Sequence, residues 1–228
     1  MDKPTDRKAM KLVSGENMKK AKDIQLLRRY WDSMRINGAM PRRADIDPRG
    51  IQSLLEYALI IEKIAPGLAR MRIAGQHLSD LMGMEVRGMP ITSFISPQDR
   101  DRMGAALSEL FERPAAVTFD LTSPGSLRQP AVSARLMLLP LSSDLGDISR
   151  ALGCFVSTGP TGRAPRRFDI DHVHTEPLSL ADPAHADKAA APTPAPGFAE
   201  PQAGFQRPES QPISGELPSE RSYLRLVR

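Results

Sequence analysis

The chain has 228 residues, a formal net charge of +4 and a single cysteine, Cys154. One or two domains fit that length, and one cysteine excludes an intramolecular disulfide. No apolar run has the length of a membrane span or the form of a secretory signal, so a soluble cytoplasmic protein is expected.

Composition and charge divide the chain. Residues 160–228 hold 11 of the 21 prolines and only four aromatics, Phe168, Phe198, Phe205 and Tyr223. The run from Ala189 to Gly197 has too little apolar area to offset the entropy of ordering it. Residues 160–228 therefore read as a Pro/Ala-rich disordered tail, closed by the short apolar motif Tyr223–Arg228. The alternation of that motif suits addition to a sheet edge as well as a frayed terminus. Residues 1–44 carry 12 Lys/Arg against five Asp/Glu, and residues 1–22 read as a basic flexible arm. Such an arm can attract acidic partners, but no aromatic precedes Tyr30 to stack on bases. Nucleic acid is not an expected partner.

Residues 23–159 remain for one domain. Ile24, Leu27, Trp31 and Met34 fall at helical spacing and predict a leading helix over 23–38, capped by Asp23 and stopped at Gly38. Its stripe can cover its own sheet or anchor a homodimer through Trp31. Asp47-Pro48 starts a short helix carrying Ile51, Leu54 and Leu55. Residues 57–64 and 68–74 form a hairpin around Pro66-Gly67, with Arg70 and Arg72 on one face and Met71 and Ile73 on the other. A short helix bearing Leu78, Leu81 and Met82 follows Gly75. Ser96-Pro97-Gln98-Asp99 opens a longer helix to Pro114. Strands over 115–122, 130–141 and 151–158 complete the domain. The order predicts an α+β fold: a five-stranded antiparallel sheet with helices on one face.

Residues 25–110 resemble a stand-alone bacterial PAS family found mainly in alphaproteobacteria. The matching pieces are Leu27 to Trp31, Pro41-Arg42-Arg43-Ala44-Asp45-Ile46-Asp47-Pro48, Arg72-Ile73-Ala74-Gly75 and Leu81-Met82-Gly83-Met84-Glu85-Val86-Arg87-Gly88. The resemblance implies a signalling adaptor or sensor, in some members tied to motility, cell-cycle control or stress. It also implies a small-ligand site between sheet and helices, and dimerisation through a leading helix.

No phosphate loop, catalytic triad order or metalloprotease helix occurs, so the chain is not expected to be an enzyme. The four histidines are His77, His172, His174 and His185, and His172-x-His174 alone does not make a metal site. By the same resemblance, haem would call for a histidine on helix 97–113, which has none. Light-sensing flavin chemistry would call for a cysteine on a central helix, whereas Cys154 falls in a strand. Neither cofactor is expected. The candidate cavity residues are Met71, Ile73, His77, Leu81, Met82, Met89, Phe94 and Met103, with Met84 nearby. Methionine adapts to irregular shapes, so this group suits either an apolar ligand pocket or an ordinary core. Two functions are open: a module that binds other signalling proteins, or a sensor of a small metabolite.

Overall fold

The computed structural model describes residues 22–125 and 130–179. Its centre is an antiparallel sheet of six strands: β1 (Ala58–Ala65), β2 (Leu68–Ala74), β3 (Ala115–Ser123), β4 (Val132–Ser142), β5 (Ile148–Thr158) and β6 (Asp169–Pro177). They lie in the order β2-β1-β5-β4-β3-β6. The β1–β5 pairing, with Ile60 opposite Leu152, joins the N-terminal hairpin to the C-terminal strands. β1 begins with four consecutive buried residues, as expected of a strand covered on both faces. β3 instead alternates, Val117, Phe119 and Leu121 facing one core.

The sheet carries a layer on each face. One face packs against α2 (Gln76–Met82), the 3-10 turn Ile91–Phe94 and α3 (Arg100–Glu112). In α3, Met103, Ala106, Leu107, Leu110 and Phe111 are buried, the stripe that helical spacing anticipates. The opposite face, with Ala58, Ile60, Leu139, Leu152, Cys154 and Val156, is partly covered by α1 (22–33) and the 3-10 helix Pro48–Leu54.

Several expectations are corrected in detail. The leading helix ends at residue 33 and not at Gly38. Its last turn tightens, Met34 N–H donating to the Trp31 carbonyl at 3.2 Å. Asn37 and Gly38 then turn the chain at positive φ (52° and 78°), a backbone state that ends a helix. Asp23 is no cap, because Lys22 is already helical. Ser96 makes no capping bond. By contrast, the Asp47 carboxylate does accept from the Arg49 N–H at 2.9 Å.

The largest difference is the sixth strand. β6 comes from residues assigned to the disordered tail, and it pairs with β3 from Ala115 opposite Pro177 to Thr122 opposite Asp169. Phe168 and Ile170 are buried in the main core, which supplies the apolar area that the proline count obscured. The remainder of the expected tail, from residue 180, and most of the basic arm lie outside the described residues.

Candidate functional site

The crevice between the sheet and α2/α3 is built from α2, the 86–95 segment, α3 and the inner faces of β1–β5. Gly75 leads from β2 into α2, and Gly83, at φ 71°, ends it. This short helix presents Leu78, Leu81 and Met82 to the sheet. Of the predicted cavity residues, Met71, Leu81, Met82, Phe94 and Met103 meet in one buried cluster, with Met89 packed against it.

Two aromatics complete the filling. Phe155 lies 5.4 Å from Phe94 and 5.3 Å, edge to face, from Phe168 between ring centroids. Phe168 is also fixed through its backbone: its N–H donates to the Phe94 carbonyl at 2.8 Å, and its carbonyl accepts from Ser96 N–H at 2.9 Å. Sequence reasoning missed Phe168 as a site residue. The signal available was the two-residue spacing of Phe168 and Ile170 directly after two arginines. One of these, Arg166, is buried; its Nε donates to the Thr161 carbonyl at 2.6 Å and its Nη2 to the Pro130 carbonyl at 2.7 Å.

His77 stands at the rim and not inside the apolar cluster. Its Nε2 is 2.9 Å from Ser157 Oγ, and its ring meets Tyr57 edge-on at 5.0 Å. Ile73 is misplaced by the sequence pattern. Ile60 opposes Ile73 while the next residue, Ile61, opposes Met71, so Arg72 is the extra residue of a β-bulge. A bulge reverses the side assignment of the residues beyond it. Ile73 therefore shares the outer face with Arg70 and Arg72 and is 44% exposed. Met84 is exposed as well.

The proposed dimer anchors are buried within their own subunit. Ile24, Leu27 and Trp31 pack on the outer sheet face with Met34 beside them, and Trp31 Nε1 donates to the Pro140 carbonyl at 2.9 Å. The choice between a sheet cover and a dimer anchor falls on the first. Arg28 and Arg35 flank the Trp31 ring at 5.8 and 5.2 Å. Cys154 lies on this same α1 side, away from the crevice, and burial pushes its thiol up to about 12. His172 and His174 lie on β6. Among the described residues, no group of three or more His, Cys, Asp or Glu is placed to hold a metal ion.

A six-stranded antiparallel sheet with short helices across one face defines an α+β domain. A family model described as PAS domain matches residues 18–156, and the chain belongs to the PAS domain family. PAS domains are a signalling and sensory fold.

Among solved structures, the light-state LOV domain of the blue-light photoreceptor Aureochrome1 is 13% identical (49% of this chain, 88% of that one; TM-score 0.35). An RNA-binding light-oxygen-voltage receptor is 16% identical (51% and 35%; TM-score 0.35). The PAS domain of Bordetella pertussis BvgS is 17% identical (49% and 86%; TM-score 0.35). At such identities and scores none of them speaks to function. No curated protein matches the chain. Among the described residues, no helix is long and apolar enough to cross a membrane.

Proposed function

We propose that the protein is a non-catalytic cytoplasmic signalling adaptor that works by binding other proteins. The observation that carries this reading is the filled crevice. Met71, Leu81, Phe94, Met103, Phe155 and Phe168 are fully buried against one another where a PAS ligand would sit. A ligand of ordinary size needs a preformed concavity, and entering here it would have to displace packed side chains at a cost of several kcal/mol.

Native mass spectrometry of the full chain, combined with affinity capture and identification of co-purifying proteins, tests the reading. The expected outcome is a mass equal to the polypeptide alone, with a reproducible set of bound regulators. A stoichiometric small molecule retained by the purified protein overturns the adaptor reading in favour of the metabolite sensor.

A further inference from the structure

The outer sheet face is covered in part. α1 and the Pro48–Leu54 helix lie over part of it, and along the edge of that cover β2, β1 and β5 carry two successive cross-strand rows. The first is apolar, Ile73 opposite Ile60 opposite Leu152, with Ile73 exposed at the sheet edge and Ile60 and Leu152 buried as its floor. These three, with Ile46, Ile51 and Leu55, line a groove of about 90 Å³. The next row is charged. Glu62 opposes Arg70 on one side and Arg150 on the other. Arg72, Arg70 and Arg150 stand 2.6, 3.1 and 3.6 Å from its carboxylate. Three guanidiniums therefore share a single carboxylate. Burial raises the Glu62 carboxyl, yet Arg72 and Arg70 outweigh it and hold it below the ordinary range. Past the charged row, at the β1–β2 turn, Ile64 and Leu68 are exposed.

Leu55, Ile64, Leu68 and Ile73 are substantially exposed large apolar residues, and Leu55 and Ile73 line the groove itself. Arg43 lines the groove and also reaches the neighbouring depression that holds Arg150, Asp144 and Asp147. Apolar surface framed by excess arginine is complementary to one kind of partner: a segment alternating apolar side chains with carboxylates.

We infer that the groove at the edge of this partly covered β2-β1-β5 face docks an acidic amphipathic segment of a partner protein. An apolar side chain enters the groove over Ile60, Ile73 and Leu152, and carboxylates engage Arg70, Arg72 and Arg150 in competition with Glu62. The inference rests on the adaptor reading and names the surface and partner chemistry that reading requires.

The test uses the full chain and a fluorescent synthetic peptide carrying Glu and Leu, with a Lys-for-Glu version as its counterpart. Binding is followed by anisotropy and mapped by NMR. The Glu peptide should bind, weaken with added salt and shift the resonances of Ile60, Ile73 and Leu152, while the Lys peptide should not bind. Arg72→Glu should weaken binding about tenfold or more. Glu62→Gln, which frees the three arginines, should strengthen it, an outcome that impaired folding cannot mimic.

Equal binding of both peptides, shifts mapping elsewhere, or weaker binding by Glu62→Gln overturns the inference. So does self-association of the chain that Arg72→Glu abolishes, because the face would then serve a second copy. If cellular partners bind undiminished to Arg72→Glu, this surface fails and the adaptor reading stands. If the wild-type chain captures no partner at all, the adaptor reading itself fails.

Discussion

Trp31 shows how one residue type can carry two meanings until its surroundings are known. Its indole is completely buried and its N–H has a carbonyl partner, so removing the side chain both empties a cavity and orphans the Pro140 carbonyl. Trp31→Ala should lower unfolding free energy by about 3–5 kcal/mol in denaturant titration and leave the oligomeric state unchanged in sedimentation. Asp99 makes a different prediction. The Ile170 N–H donates to its carboxylate at 2.9 Å and Arg102 donates at 2.8 Å. The Ile170 backbone bond, then Arg102, holds the Asp99 carboxyl below its ordinary value. A carboxyl depressed in the folded state contributes stability that is fully present above its unfolded pKa and is lost as pH falls through the lower folded value. Acid unfolding followed by circular dichroism should therefore be less steep in Asp99→Asn, which starts from a lower stability near neutral pH.

At the scale of elements, β6 is the strand that matters most for where the domain ends. A chain ending at residue 159 loses Phe168 and Ile170 from the core and leaves β3 unpaired along one edge. It should unfold at a markedly lower temperature in calorimetry, whereas a chain ending at residue 179 should retain the full transition. Arg166 tests the same boundary from a single side chain. Arg166→Ala removes a buried guanidinium that donates to the part-buried Thr161 and Pro130 carbonyls, and should cost about 0.5–1.5 kcal/mol per bond in denaturant titration. The hairpins, α2 and α3 were legible because Pro66-Gly67, Gly75 and Ser96-Pro97 punctuate clear periodicities. β6 was not, since its Asp, His and Glu residues dilute the apolar alternation and the prolines beyond it dominate the local composition. Ile73 was legible as a strand residue but not in its side, because a bulge inserts one residue without any sequence marker.

For the whole molecule, the two-sided cover of the sheet decides which parts are rigid. β5 and β4 are hydrogen-bonded on both edges and lie between two apolar clusters. Their central amides should exchange with solvent most slowly, and those of α1 earlier, since only side chains attach it to the sheet. That attachment has a particular geometry. Arg28 Nη1 reaches Glu176 near the end of β6 at 2.6 Å, and Arg35 Nη2 donates to the Ser179 carbonyl at 2.6 Å. The way in and the way out of the fold are thus fastened by one clasp. Any event that peels the first helix away therefore also frees the Glu176 carboxylate and the Ser179 carbonyl at the end of β6, while the strand itself stays paired with β3.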